Sequence, residues 1–133
     1  MTIAGASVLI TGATGSFGRA FTRHCLNAGA ARVRVLSRGE HAQAQMKTEF
    51  LQHDERLGFF IGDVRDRNRL YRAMQGVDIV IHAAALKRIE VGYYNPIEMV
   101  KTNVDGAINV IEAAIDAHVE RVVALSSDKA WQP

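Results

Sequence analysis

Residues 7–18 read SVLITGATGSFG, an aliphatic run that passes directly into three glycines, each separated from the next by two residues. A short apolar run that ends in a glycine-rich turn predicts a buried strand followed by a helix. In that setting Gly12 permits the tight turn, Gly15 lets a pyrophosphate approach the backbone, and Gly18 lets the helix pack closely on the strand. The stretch therefore predicts a dinucleotide-binding loop, with a purely structural turn as the alternative.

The rest of the chain alternates short β-branched runs with longer helical patterns. Strands that are apolar almost throughout are typical of parallel sheets covered on both faces. Five such strands with right-handed crossovers predict an α/β fold, a doubly wound parallel sheet of the Rossmann type with order 3-2-1-4-5. Ligands are expected beyond the carboxyl ends of strands 1 and 4. The predicted strands are 7–11, 32–36, 57–61, 78–82 and 121–125, and the predicted helices are 16–28, 40–55, 67–75 and 96–118.

The last predicted helix has the clearest signals. Asn95 is expected to cap it, Pro96 occupies its first position, and Glu98 occupies the reciprocal capping site. Gly29 and Gly76 are expected to close the first and third helices in the left-handed conformation. Six apolar residues recur at helical spacing and predict the buried face of the last helix: Ile97, Val100, Val104, Ile108, Ile111 and Ile115.

Composition excludes several classes of function. The 133 residues carry a net charge of +2 from 16 basic and 14 acidic side chains, which is too near neutral to indicate a polyanionic partner. The stretch 63–72 interleaves acids with arginines and is interpreted as a solvated helix face, so we expect no nucleic acid partner. No apolar stretch approaches the roughly 18 residues of a membrane span. The whole chain, 1–133, is predicted to be a single dinucleotide-binding domain.

The single cysteine, Cys25, cannot form an internal disulfide and is expected to be a small buried hydrophobe. Its lack of a partner favours a cytoplasmic location. The five histidines show no paired ligand spacing, so no metal site is predicted. His82 in particular is expected to be a satisfied or surface histidine.

The ends of strands 2, 3 and 4 supply further candidate ligands. Arg38 follows strand 2 and can pair with a 2′-phosphate, which favours NADP, while Glu40 nearby leaves NAD open. Asp63 follows strand 3, where a carboxylate can accept from an adenine amino group. After strand 4, small side chains would admit cofactor contacts, and Lys87 can reach a phosphate or a sugar hydroxyl.

Six motifs in this order carry a resemblance: TGATGSFG, SRGE, GDVRD, VDIVIHAAALK, NPIEMVKTNV and LSSDKA. The chain resembles an extended short-chain dehydrogenase/reductase, and more closely the inverting UDP-N-acetylglucosamine 4,6-dehydratases of polysaccharide biosynthesis. The resemblance spans the whole chain but only the amino-terminal portion of that family. It implies a lyase that is redox-neutral overall: NADP takes hydride from sugar C4, water is lost across C5 and C6, and hydride returns at C6 with inversion at C5.

The resemblance also implies roles for individual residues. Ser127 would bond the C4 oxygen, Lys129 would act as the base toward C5, and Asp128 would act as the acid toward the departing C6 hydroxyl. Lys87 would touch both cofactor and UDP-sugar substrate. The remaining cofactor-binding residues are expected to be Gly12, Thr14, Gly15, Ser16, Phe17, Gly18, Ser37, Arg38, Asp63, Val64, Ala83, Ala84, Ala85 and Ser126.

Some features depart from the family pattern. Gly39 stands where an acid is usual, Ala42 where a basic residue is usual, and Ser127 where threonine is more frequent. The family's Tyr-x-x-x-Lys pair does not occur in these 133 residues, so the chain alone is expected to be inactive. A UDP-sugar 4-epimerase of the same fold, a catalytically silent dinucleotide-binding module and a structural or assembly domain are the alternatives. The full-length protein is expected to be a homo-oligomer.

Overall fold

The structure, a computed structural model, describes residues 2–53, 55–86 and 89–126. Within them, parallel strands form one sheet in the order β3-β2-β1-β4-β5. This order and the doubly wound α/β fold confirm the prediction from the sequence. The strands are β1 Ser7–Thr11, β2 Arg32–Ser37, β3 Leu57–Ile61, β4 Ile79–His82 and β5 Arg121–Ala124.

Helices cover both faces of this sheet. Helix α2 ends at Glu49, where Phe50 turns into the core and a short 3₁₀ turn, Leu51–His53, follows, so the predicted helix 40–55 was too long. A further helix, α4, was not predicted. The helices are α1 Ser16–Asn27, α2 Glu40–Glu49, α3 Arg67–Ala73, α4 Ile89–Tyr94, α5 Pro96–Val100 and α6 Gly106–Asp116.

Two buried clusters, one on each face, hold the sheet to its helices. Side chains alternate along β1, so that Val8 and Ile10 point to one face and Leu9 points to the other. The first cluster joins the sheet to α1 and α2 and includes Cys25, which is fully buried. Burial raises the pKa of the Cys25 thiol to about 11, so this cysteine is a packing residue, as predicted. The second cluster joins the sheet to α3 and α6.

The turns that close α1 and α3 agree with the prediction. Gly29 has a φ of 86° and Gly76 a φ of 75°, both in the left-handed region that favours glycine. Helix α3 begins at Arg67 with a side-chain cap, since Asp66 accepts a hydrogen bond from the backbone N–H of Arg69.

The predicted helix 96–118 is interrupted. Between α5 and α6 the chain makes a π-helical turn, Lys101–Asp105, and α6 ends at Asp116. Asn95 stands at the N-cap position and Pro96 at the first position of α5, as predicted, but the predicted capping hydrogen bonds are not made. The side chain of Asn95 donates back to the carbonyl of Val91, and Glu98 pairs with Arg65 instead of the backbone.

The predicted buried face of this helix was also wrong. All six of its apolar residues are between 49% and 63% exposed in the chain as described. The opposite face packs on the sheet and consists mainly of small residues, among them Gly106, Ala113 and Ala114. A Cβ on Gly106 would lie 2.6 Å from Cγ2 of Val64, so close docking requires this small face. We call the exposed set Ile97, Val100, Val104, Ile108, Ile111 and Ile115 the outer stripe.

Strand β5 forms one edge of the sheet and pairs only with β4 among the described strands. Val122 and Val123 are exposed, as expected for a strand with one uncovered side. The described strands all run parallel, so their carboxyl ends lie along the same side of the sheet. The ends of β1 to β4 come together there.

Candidate functional site

A cavity of about 690 Å³ opens at the carboxyl ends of β1 to β4. A volume of this size lies within the range usual for small-molecule and cofactor sites. Its walls come from the loops that follow these four strands, from the start of α1 and from the π turn. The lining residues are Gly12, Thr14, Gly15, Ser16, Phe17, Gly18, Leu36, Ser37, Arg38, Gly39, Gly62, Asp63, Val64, Ala83, Ala84, Ala85 and Thr102.

The glycine loop has three glycines with different surroundings. Gly12 has a φ of 65°, and a Cβ there would lie 2.7 Å from the backbone nitrogen of Ala84. A Cβ on Gly18 would collide with the backbone of Ala13. Gly15 differs, because its φ is −71° and the nearest atom to a Cβ would be a carbonyl oxygen 3.6 Å away. Protein packing therefore requires glycine at the first and last positions, whereas a side chain at Gly15 would only occupy space beside the cavity.

Helix α1 begins at Ser16 in the wall of this cavity. The first N–H groups of a helix lack helical partners and carry partial positive charge. No acidic side chain lies in the first turn of α1 to compete for them. This arrangement suits an anionic group such as a pyrophosphate.

A threonine hydroxyl holds the neighbouring loop in place. Oγ1 of Thr11, the last residue of β1, accepts hydrogen bonds from the backbone N–H groups of Ala83 at 3.1 Å and Ala84 at 3.2 Å. Further along, the side chain of Asn103 accepts from the N–H of Leu86 at 2.8 Å and donates to its carbonyl at 3.0 Å. Both ends of the segment after β4 are thus fixed against the cavity.

The end of β2 supplies one wall. Ser37 is buried, whereas Arg38 is exposed to solvent at the rim. The amide nitrogen of Gln43, from α2, lies 2.9 Å from Oγ of Ser37 and 2.7 Å from the carbonyl oxygen of Phe60. Gln43 lies outside the cavity lining but holds Ser37 within it.

The end of β3 contributes a carboxylate that already has partners. Asp63 accepts from the backbone N–H of Arg65 at 3.0 Å and from its Nε at 3.1 Å. The same guanidinium reaches Glu98 at the start of α5, 2.6 Å away. Arg65 thus ties the β3 loop to α5 and orients the Asp63 carboxylate, whose remaining lone pairs can still accept from a ligand.

One polar group in the wall has no partner among the described residues. Thr102 is 5% exposed, and its Oγ1 makes no hydrogen bond to any part of the chain that the structure describes. The residue lies in the π turn, a distortion that is frequent at functional sites. A buried hydroxyl of this kind costs about 1–3 kcal/mol when it remains unpaired.

The structure brings together thirteen of the residues predicted to bind a cofactor: Gly12, Thr14, Gly15, Ser16, Phe17, Gly18, Ser37, Arg38, Asp63, Val64, Ala83, Ala84 and Ala85. Ser126 lies just beyond β5, is exposed, and is not among the described residues of the wall. Lys87, Ser127, Asp128 and Lys129 lie outside the described residues. The prediction missed Leu36, Gly39, Gly62 and Thr102. The first three lie at the ends of β2 and β3. The expectation that ligands bind beyond the carboxyl ends of parallel strands would have found them.

A central β1 that passes into a glycine loop and the N-terminus of a helix, within a sheet of this order, defines the class of Rossmann-type α/β proteins. The sequence identifies the family within that class. Residues 8–133 match the family model described as polysaccharide biosynthesis protein, and the chain belongs to that family.

Two curated proteins that are similar to this chain have different activities. The chain is 48% identical over 130 residues to a UDP-N-acetylglucosamine 4,6-dehydratase (inverting) of Campylobacter jejuni. The matched region covers 97% of this chain and 38% of the relative. The chain is also 43% identical over 131 residues to a UDP-glucose 4-epimerase of Rickettsia conorii. This match covers 96% of the chain and 38% of the relative. The chain thus spans about two fifths of the length of these relatives, which include a nucleotide-sugar dehydratase and an epimerase.

A solved structure of similar fold and sequence agrees with the family assignment. The dTDP-glucose 4,6-dehydratase of Streptomyces venezuelae, solved with NAD bound, is 32% identical and superposes with a TM-score of 0.77 over 87% of this chain and 38% of its own. In the part of the chain that the structure describes, no helix has both the length and the apolar character needed to cross a membrane.

Proposed function

We propose that this chain is the dinucleotide-binding portion of an NADP-dependent nucleotide-sugar 4,6-dehydratase. Its substrate would be UDP-N-acetylglucosamine, with inversion at C5, and its pathway the synthesis of surface polysaccharide or other glycans. The observation that carries the proposal is the cavity at the carboxyl ends of β1 to β4, bordered by the glycine loop. The relative from Campylobacter supports the choice of reaction. The cytoplasmic location stays a prediction from the sequence.

The residues of the wall fit a dinucleotide. Gly15 and the start of α1 would hold the pyrophosphate, Ser37 and Arg38 the 2′-phosphate, and Asp63 the adenine. The small side chains of Ala83, Ala84 and Ala85 would flank the cofactor. When bound, NADP supplies the hydride acceptor and donor, while the protein supplies position and proton transfer.

The proposed proton-transfer groups follow β5 in the motif LSSDKA. Ser127 would bond the C4 oxygen of the sugar, Lys129 would remove the C5 proton, and Asp128 would protonate the departing C6 hydroxyl. A lysine beside a carboxylate in a closed site can have its pKa moved toward a proton-transfer role. Lys87 would contact both the cofactor and the sugar, and Ser126 would lie near the nicotinamide.

The second candidate is a UDP-sugar 4-epimerase, which the relative from Rickettsia supports. Epimerisation at C4 needs hydride transfer but no loss of water. An epimerase therefore has no use for the elimination pair Asp128 and Lys129, which is why we favour the dehydratase. A silent dinucleotide-binding module is the third candidate and would bind nucleotide without turnover.

We also propose that the outer stripe binds a second copy of the chain. When two copies of the helix lie antiparallel and cross at the level of Gly106, Ile97 faces Ile115, Val104 faces Ile108, and Val100 faces Ile111. Lys101 of one copy then lies opposite Glu112 of the other, a favourable charge pair. A surface that complements itself in this way is what a two-fold interface requires.

Binding of NADP by the 133-residue chain tests the cofactor site. In Gly15→Ala the backbone accepts the side chain without strain, since φ is −71°, but the methyl group projects beside the cavity. We expect unchanged thermal stability and about tenfold weaker NADP binding by calorimetry. Gly58→Ala is the matched control, because its Cβ would meet Arg34 and Phe60 at 3.6 Å, outside the cavity. If Gly15→Ala and Gly58→Ala bind NADP with equal affinity, NADP does not bind at this site.

A chimera tests the reaction. Residues 1–133 would replace the matching 38% of the Campylobacter dehydratase, so that LSSDKA comes from this chain. We expect conversion of UDP-N-acetylglucosamine to the 4-hexulose, followed by nuclear magnetic resonance, and no conversion by Lys129→Ala although NADP remains bound. Dehydration at the parental rate by Lys129→Ala would refute the proposed base. Conversion of UDP-glucose to UDP-galactose without dehydration would favour the epimerase.

A further inference from the structure

Gln43 lies behind the cavity wall and is not one of its lining residues, yet its side chain hydrogen-bonds to two residues at the ends of β2 and β3. It is 5% exposed, and its amide nitrogen lies 2.7 Å from the carbonyl oxygen of Phe60 and 2.9 Å from Oγ of Ser37. A third contact, to the carbonyl oxygen of Ser37, is longer at 3.3 Å. That carbonyl is already bonded by the N–H of Gly62 at 2.9 Å.

These partners determine which way the amide points. A backbone carbonyl can only accept, so the group facing Phe60 must be the NH₂ of Gln43 and not its oxygen. The NH₂ has two hydrogens. One serves the Phe60 carbonyl, and the other is directed to the oxygen of the Ser37 hydroxyl.

The hydroxyl of Ser37 then has a defined role. Because its oxygen accepts from Gln43, its own hydrogen must point away from Gln43. Ser37 is 8% exposed and lines the cavity at the end of β2, next to Arg38. The hydrogen is therefore available as a donor to whatever binds there.

We infer that Gln43 is a positioning residue that turns the Ser37 hydroxyl into a donor for the 2′ substituent of the adenosine ribose. The inference rests on the proposed dinucleotide site and adds to it a specificity device outside the cavity wall. A 2′-phosphate gains more from such a donor than a 2′-hydroxyl, because a hydrogen bond to a charged oxygen is about twice as strong as a neutral one. Gln43 thereby favours NADP over NAD without touching either.

A double-mutant cycle on the 133-residue chain tests this. Calorimetry with NADP and with NAD would compare wild type, Gln43→Met, Ser37→Ala and the double variant. We expect Gln43→Met to weaken NADP binding about three- to tenfold and NAD binding less. In the Ser37→Ala background the same change should weaken NADP binding less than about twofold, since the hydroxyl it orients is absent.

Gln45→Met is the matched control, because Gln45 is an exposed glutamine on the same helix, is hydrogen-bonded to His41 and does not line the cavity. It should leave both affinities unchanged. Equal losses for Gln43→Met in the presence and absence of the Ser37 hydroxyl would overturn the inference, as would equal losses for NADP and NAD. Wild type that binds neither nucleotide would overturn the proposed function and this inference together.

Should Gln43→Met fail to fold, Gln43→Glu provides the same test with a side chain of the same shape. The introduced carboxyl group is buried against the Phe60 carbonyl, so it is protonated and gives its one hydrogen to that carbonyl. No hydrogen is then left for Ser37, whose own hydroxyl hydrogen turns to the carboxyl oxygen and is withdrawn from the cavity. NADP binding should again fall more than NAD binding, and only while Ser37 is present. Unchanged NADP affinity in this variant would refute the inference.

Discussion

Thr11 and His82, the last residues of two neighbouring strands, share a hydrogen bond of 2.8 Å between Oγ1 and Nδ1. The Thr11 oxygen already accepts from two backbone N–H groups, so its hydrogen is the one directed at the ring. Nδ1 is therefore the acceptor, and the ring is neutral with its proton on Nε2. Burial lowers the pKa of His82, which agrees with a neutral imidazole.

This bond predicts a loss of stability in acid. The unfolded His82 binds a proton near its ordinary pKa of 6.5, whereas the folded one resists it. Below about pH 6.5 the unfolded chain therefore holds more protons, and stability falls as the pH falls. His82→Asn keeps an acceptor for Thr11 but does not titrate. We expect its melting temperature to fall less than that of wild type between about pH 7.5 and about pH 5.

Comparing wild type with His82→Asn isolates the contribution of the imidazole to the pH dependence of stability, because the carboxylates titrate in both proteins. Parallel curves over this range would show that His82 does not contribute. Thr11→Ser retains the hydroxyl and should follow the wild-type curve.

Arg38 is expected to distinguish the two dinucleotides. It lies exposed at the cavity rim beside Ser37, where a guanidinium can pair with a 2′-phosphate. Arg38→Ala should weaken NADP binding by about tenfold and NAD binding far less, as measured by titration calorimetry. Arg72→Ala, an exposed arginine on α3, serves as the control. Equal effects of Arg38→Ala on the two nucleotides would end the assignment.

Thr102→Val is expected to act in opposite directions on stability and binding. The change removes a buried hydroxyl without a partner among the described residues and keeps the shape of the side chain. The chain without nucleotide should become more stable by about 1 kcal/mol, because the uncompensated group is gone. Nucleotide affinity should fall if the hydroxyl bonds the ligand. Thermal unfolding with and without NADP measures both effects, and a loss of stability without nucleotide would contradict this interpretation.

The outer stripe predicts self-association. Ile108 lies near its centre and is 50% exposed in the single chain. Ile108→Asp would place a charge in the middle of the proposed two-fold contact and should convert dimers to monomers in sedimentation experiments. Tyr71→Asp, at an exposed position on α3, should not change the mass. If wild type is already a monomer at high concentration, a second copy does not cover the stripe.

The sequence predicts the sheet and most of the cavity wall for one physical reason. Parallel strands place their carboxyl ends at one edge, so once β1 to β4 are recognised, the residues after them must meet. Boundaries such as Ser7–Thr11 and Leu57–Ile61 follow from the change from apolar runs to turn residues. The glycine loop is local as well, since the spacing of three glycines already implies close packing on both sides.

Contacts made by distant segments were not predictable in this way. The outer stripe has the larger side chains, yet α6 docks through its small residues because Val64 leaves room only for Gly106. Thr102 lines the cavity from a π turn that interrupts the predicted helix, and the sequence gives no sign of that turn. Gln43 looks like an ordinary helical glutamine, and its role depends on β3 supplying a carbonyl at the right distance. Each of these depends on a neighbour far away along the chain.

The cavity is built from the ends of four strands, whereas β5 lies at the sheet edge with its side chains exposed. A ligand in the cavity would therefore hold the ends of β1 to β4 together as one cooperative unit. Amide hydrogen exchange in those four strands would slow as the nucleotide concentration rises. Exchange in β5 would slow with them to the extent that Ser126, just beyond that strand, also reaches the nucleotide as proposed.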